Sequence, residues 1–195
     1  MTNVTLAILA GGAGSRMGAP KAELRVGEEP ILAYLLRRFA WDGPTMLVTA
    51  PGRERPTGHE LLAREVVDPV PGQGPLRGVL TALENAATDV VVIATVDMPG
   101  VGGEQLRWLV GELSGRADSL GVTMRRQEAV EPFPCAMRRA ARAAVAREIA
   151  GKRLSVRRLC EQSEFVTVDA PRDWDERIWA NLNRPEDLDG FARMV

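Results

Sequence analysis

The chain is poor in the residues that build metal cages and covalent staples. Its 195 residues include one histidine, His59, and two cysteines, Cys135 and Cys160. Their spacing matches no zinc motif, and one pair of cysteines is too few for a disulfide framework. Low cysteine usage and the lack of a basic, then apolar leader at the N-terminus lead to the expectation of a reducing cytoplasm. No apolar run approaches the ~20 residues that cross a bilayer, so no membrane segment is expected. Excess charge of either sign is also missing. With 25 Lys and Arg against 26 Asp and Glu the net charge is -1, which gives no overall basic surface for nucleic acid. Repeats, low-complexity tracts and linkers are absent, so residues 1–195 are read as one domain. What remains is 45% hydrophobic and 26% charged residues, a balance normal for a globular protein with a real core.

The stretch Leu6 to Lys21, LAILAGGAGSRMGAPK, organises the rest. A short apolar strand, Leu6–Leu9, breaks into a loop of small residues, and Arg16 and Lys21 follow directly. Glycines let a backbone approach a ligand and turn its N–H groups inward; two nearby cations strengthen the grip on an anion, above all a phosphate. A Walker A loop is excluded, because Lys21 lies between Pro20 and Ala22 rather than before Ser or Thr. The dinucleotide fingerprint is excluded too: Gly12 and Gly14 fit, but Met17 occupies the third glycine position. Glycines also mark ordinary strand-to-helix turns; the two cations in the same loop favour the phosphate reading.

Downstream, strands and helices alternate. Helical spacing predicts a helix over Ile31–Phe39 with Arg37 and Arg38 outward, then a strand at Thr45–Ala50 and a polar surface loop at Pro51–His59. A short strand, Glu65–Val67, ends at Asp68, and VPGQGPLRG reads as loop because of its glycines and prolines, with a helix following over Val79–Ala87. Asp89–Val96 is apolar on both faces, as in the centre of a parallel sheet, and ends in Asp97-Met98-Pro99. Further expectations are a helix at Glu104–Leu113, a strand at Ser119–Met124, and an edge strand or loop at the Pro-interrupted Glu131–Met137. They continue with helices at Arg138–Ile149 and Ser155–Cys160, a late strand at Phe165–Val168 and a closing helix. This alternation predicts a three-layer α/β/α sandwich, Rossmann-like, with a mostly parallel sheet.

In such sheets ligands bind at the carboxyl ends of the strands. The loop at Gly11 and Gly12, Asp68 and Asp97 all fall there. Asp is common in turns, where it caps N–H groups; beside a phosphate loop, Asp97 also suits Mg²⁺ held between a carboxylate and phosphate oxygens. Arg16 and Lys21 would stabilise a triphosphate and the departing pyrophosphate. No covalent nucleophile is needed, because an acceptor phosphate can attack the α-phosphorus directly.

LAGGAGSRMGAPK resembles the LAGGxSxRMGxDK signature of nucleotidyltransferases, above all the molybdenum cofactor guanylyltransferases. Further segments are similar in the same order: VVDPVPGQGPLRGVLTAL, VIATVDMP, EPFPCAMRR, GKRLSVRRL and NLNRPEDL. The resemblance implies transfer of GMP from GTP to the terminal phosphate of molybdopterin-bound molybdenum cofactor, with pyrophosphate released. It implies that Leu9, Ala10, Gly11 and Gly12 line the nucleotide, that Lys21 and Arg16 meet its phosphates, and that Asp68 meets the nucleoside. Asp97 would hold Mg²⁺, and Asn181 and Asn183 would face the pterin substrate, although two asparagines in a turn can also simply cap backbone groups. Molybdoenzymes and cofactor-insertion proteins are the implied downstream partners. Pro20, Thr49 and Arg184 replace the usual Asp, Asn and Thr. Gly-x-Pro-Lys resembles the related cytidylyltransferases, while LAGG and the Asn-led tail resemble guanylyltransferases, so CTP, or another phosphorylated acceptor, is the alternative. A non-catalytic nucleotide-binding adaptor would be expected to lose a carboxylate or cation that this chain retains.

Overall fold

The apolar hexapeptide Val4–Leu9 forms strand β1, and all its residues are buried. Neighbouring strand residues point to opposite faces, so a strand buried throughout must be covered on both sides. The computed structural model describes residues 3–11 and 20–193. After β1 come a small hairpin, β2 (Arg25–Val26) and β3 (Glu29–Pro30), helix α1 (Ile31–Phe39) and strands β4 (Thr45–Thr49) and β5 (Arg64–Val67). Helix α2 (Gly74–Asn85), β6 (Val90–Thr95), α3 (Gly103–Ser114), β7 (Gly121–Arg126) and β8 (Ala129–Arg138) follow. The chain continues through α4 (Arg142–Ala150), α5 (Val156–Cys160), β9 (Phe165–Asp169) and α6 (Pro185–Ala192).

Seven strands make one sheet in the order β5-β4-β1-β6-β8-β7-β9. It is mostly parallel; β8 alone runs against its neighbours β6 and β7. From β1 the chain steps outward through β4 to β5, then returns to β6 on the other side of β1. The strand order therefore reverses between β1 and β6, where doubly wound sheets leave a crevice at their carboxyl ends. Helix α1 packs against α3, and α2 against α4. In α1 the buried residues are Ile31, Leu32, Tyr34, Leu35 and Phe39, while Arg37 and Arg38 are exposed, as the helical spacing requires.

Three local expectations are corrected. Gly74–Gly78 is not loop but the first turns of α2, with Pro75 at the helix start. Proline fits there because a first-turn N–H has no intrahelical partner to lose. Glu131–Met137 belongs to β8, an interior strand rather than an edge. Its pairing with β7 shifts between Val122, opposite Ala136, and Met124, opposite Glu131. The extra β8 residues include Pro132 and Pro134, so the prolines sit where the ladder is already interrupted. The helix expected from Arg138 begins at Arg142, after β8 and a 3₁₀ turn.

Candidate active site

The carboxyl ends of the parallel strands are held in step by main-chain bonds beyond the strands themselves. The Ala10 N–H donates to Val48 O at 2.8 Å, Asp68 N–H to Thr49 O at 2.8 Å, and Val96 N–H to Leu9 O at 3.2 Å. These bonds line up Ala10, Asp68 and Asp97 along one rim. Gly78 in α2 faces the end of β1: a Cβ there would stand in ordinary contact, 3.4 Å from the Leu9 side chain. Leu9, Gly11, Lys21, Asp68 and Asp97 all line a single cleft of about 670 Å³ above this rim. That is ample for a nucleotide-sized ligand. A second cavity, of about 530 Å³, mixes Arg38, Arg107 and Arg177 with Glu104, Asp173 and Asp175; neither Lys21 nor Asp97 lines it.

At the switch point, Lys21 Nζ lies 2.6 Å from Asp97 Oδ2 and donates to Asn183 Oδ1 at 2.7 Å. The two charged side chains are 15% and 20% exposed, so the pair is shielded without being sealed. Asn183 arrives because the C-terminal segment is anchored on both sides of it. The Leu182 N–H donates to Asp97 O at 2.8 Å and the Leu182 side chain is fully buried. Asp187 Oδ2 accepts from the N–H groups of Asn183 and Arg184 at 2.9 and 2.8 Å, capping α6. These bonds hold the Asp187 carboxyl below its ordinary pKa.

Asp68 is buried, and burial pushes its carboxyl above the usual carboxylate range against the opposing pull of Thr81 and Arg77. Its Oδ1 makes no hydrogen bond of good geometry. Gln73 Oε1, Arg77 Nε and Thr81 Oγ1 are likewise buried with no hydrogen bond of good geometry. Arg77 and Thr81, four residues apart, share one stripe of α2, and Gln73 caps the helix four residues before Arg77. Arg77 is steadied from the far side by Glu84, at 2.9 Å. Sequence reasoning missed this stripe because it read the segment as loop; the four-residue spacing was the available signal.

The structure thus brings Leu9, Gly11, Lys21, Asp68 and Asp97 to one cleft, with Ala10 buried at its rim, and brings Asn183 to Lys21. Asn181 is exposed two residues before Asn183. Thr49 is buried and donates to Glu65 at 3.1 Å. Gly12 and Arg16 lie outside the described residues. Among the described residues no group of three or more His, Cys, Asp or Glu could hold a metal. The fit to a metal is of another kind. Asp97 already carries a cation, the Lys21 ammonium, at hydrogen-bond distance. One carboxylate completed by phosphate oxygens is the donor set that suits Mg²⁺.

A family model described as the MobA-like NTP transferase domain matches residues 6–167, most of the chain. The chain belongs to this family. The "Probable molybdenum cofactor guanylyltransferase" of Opitutus terrae is 30% identical over 194 residues, covering 96% of this chain and 94% of the relative. One of the same name from Carboxydothermus hydrogenoformans is 39% identical over 110 residues. That alignment takes in 56% of this chain and about half of the relative, 54%. Among solved structures, molybdopterin-guanine dinucleotide biosynthesis protein A from Archaeoglobus fulgidus superimposes with a TM-score of 0.78 at 23% identity, covering 97% of both chains. At that identity the likeness establishes the fold, an α/β nucleotidyltransferase sheet. Family membership makes the chain a nucleotidyltransferase. Among the described residues no helix is long and apolar enough to cross a membrane.

Proposed function

We propose that the chain transfers GMP from GTP to the terminal phosphate of molybdopterin-bound molybdenum cofactor and releases pyrophosphate. The observation that carries this reading is the meeting of Lys21 and Asp97 at the switch point, inside a cleft large enough for a nucleotide. The relatives named molybdenum cofactor guanylyltransferases supply the substrates of the proposal. Leu9, Ala10, Gly11 and Gly12 line the nucleotide, and Asp68 takes the nucleoside. Lys21 and Arg16 engage the phosphates. Asn181 and Asn183 stand on the acceptor side. Asp97 holds Mg²⁺, which when bound neutralises charge on the phosphate oxygens.

The chemistry is an in-line displacement. A terminal phosphate oxygen of the acceptor forms a bond to the α-phosphorus of GTP, and the bond from that phosphorus to the bridging oxygen of pyrophosphate breaks. The protein's work is positioning and charge stabilisation. The strand rim fixes the nucleotide while cations from the loop after β1 meet the charge that gathers on the leaving group. The setting is cytoplasmic, and cofactor-insertion proteins and molybdoenzymes receive the product.

The test is nucleotide selectivity. Melting temperature and calorimetry with Mg²⁺ and GTP, CTP, ATP or UTP report affinity, because a ligand that binds only the folded state raises its stability. A GTP preference with pyrophosphate release in the presence of the acceptor is expected. A CTP preference would make this a cytidylyltransferase, the reading that Gly-x-Pro-Lys at Pro20 suggests. Triphosphate binding without pyrophosphate release would point to an adaptor. Asp97→Ala should lower kcat by about 100-fold or more while the chain still unfolds cooperatively; near-normal turnover would remove Asp97 from the site.

A further inference from the structure

The contact between Lys21 and Asp97 poses a problem for the site as just described. A phosphate-binding ammonium and a metal-binding carboxylate here hold each other, at 2.6 Å. The ammonium is fixed from a second side by Asn183 Oδ1 at 2.7 Å. Asn183 in turn belongs to a segment tied to Asp97 through the Leu182 N–H and braced by Asp187. Lys21 is therefore not a long side chain resting on a neighbour by chance: two acceptors from two parts of the chain converge on it. Both charged groups are largely shielded, so water weakens their attraction less than at an open surface. Lys21 occupies one of the two oxygens with which Asp97 could meet a divalent cation, and its charge stands where the cation's charge would be.

We infer that Lys21, held on Asp97 by Asn183, competes with a divalent metal for that carboxylate, so that the metal binds tightly only when a triphosphate draws the ammonium away. The inference rests on the reading of Asp97 as metal ligand. A triphosphate carries several negative oxygens and outcompetes one carboxylate and one amide for the ammonium. As Lys21 moves to the phosphates, Asp97 Oδ2 is released at the moment when phosphate oxygens become available to complete the metal's coordination. The exchange keeps Asp97 partnered by a cation in both states, which avoids leaving a shielded charge unpaired. Asn183 is a positioning residue in this scheme, acting through Lys21.

Mn²⁺ serves as the probe, its binding followed by electron paramagnetic resonance on the full chain without substrate turnover. Wild-type protein should bind Mn²⁺ weakly alone and tightly with GTP. Lys21→Met should bind Mn²⁺ alone on the order of tenfold tighter than wild type, equivalent to about 1.4 kcal/mol. Asn183→Ala, which loosens the lock but keeps the ammonium, should give a smaller gain in the same direction and keeps the test open if Lys21→Met does not fold. Adding Asp97→Asn to either variant should abolish the gain. If wild type alone binds Mn²⁺ as tightly as both variants, the competition is wrong while Asp97 can remain a metal ligand. If Asp97→Asn leaves Mn²⁺ binding in the GTP complex unchanged, the assignment of Asp97 fails and the inference falls with it.

Discussion

Asp68 shows a single residue caught between stability and ligand binding. Burial raises its folded-state pKa above the unfolded value. For an acid this sign means that the folded state gives up the proton less readily, so ionised Asp68 costs stability above the unfolded pKa, and the cost vanishes as pH falls below it. Asp68→Asn should therefore raise the melting temperature at pH 7, by roughly 2 °C or more. The gain should shrink in acid, where Asp68 is protonated in both states, and GTP affinity should fall. A melting series from pH 7 to about pH 4 checks the sign; a lower melting temperature at pH 7 would mean that the carboxylate is stabilised by partners its unpaired Oδ1 does not indicate. Asp97 and Asp68 were legible in the sequence because each ends a short apolar strand. The stripe of Arg77 and Thr81 was not, since its meaning depends on whether the backbone there is helical.

At the scale of elements, the loop after β6 and the C-terminal segment fit together through a glycine. A Cβ on Gly100 would lie 1.7 Å from Arg177 O and 2.9 Å from Ile178 Cα, both backbone atoms that cannot swing aside. Gly100→Ala must push the two segments apart, at a cost of about 1–3 kcal/mol. Because Leu182 and Asn183 follow in the same segment, the displacement should also speed hydrogen exchange at the Leu182 amide bonded to Asp97 O. Unchanged exchange there, with stability lost, would confine the damage to the 3₁₀ turn Glu176–Trp179. The sequence marks Gly100 only as a glycine after Asp-x-Pro. Its necessity comes from a segment far along the chain. The same holds for β8: its prolines argue against an interior strand until the shifted pairing with β7 gives them a place without ladder bonds.

Across the whole molecule, the C-terminal segment closes the fold back onto Lys21, helix α1 and the loop after β6. Leu182 and Phe191 are buried, and the Phe191 ring meets Tyr34 of α1 edge-on at 6.2 Å. Asp187 helps to hold this return. Its folded pKa is lowered by the N–H groups of Asn183 and Arg184. A depressed carboxyl contributes stability that is present above the unfolded pKa and is lost as pH falls through the folded one. Acid below about pH 4 should therefore loosen the segment, and Asp187→Ala should reproduce the loosening at pH 7. The amide resonances of Asn183 and Arg184 should titrate together with Asp187 in the wild type. If they stay fixed through that range, the cap does not hold the segment.

The sequence alone determined the alternation of strands and helices and the carboxylates at the strand ends. Each of these is local, since periodicity, turn chemistry and strand length are set by neighbours within a few residues. Tertiary structure decided the rest: that β1 lies at the switch point, that Arg77 and Thr81 act on Asp68, and that Asn183 reaches Lys21 across almost the full length of the chain. Such meetings follow from strand order and from how buried segments pack, which a one-dimensional pattern does not encode.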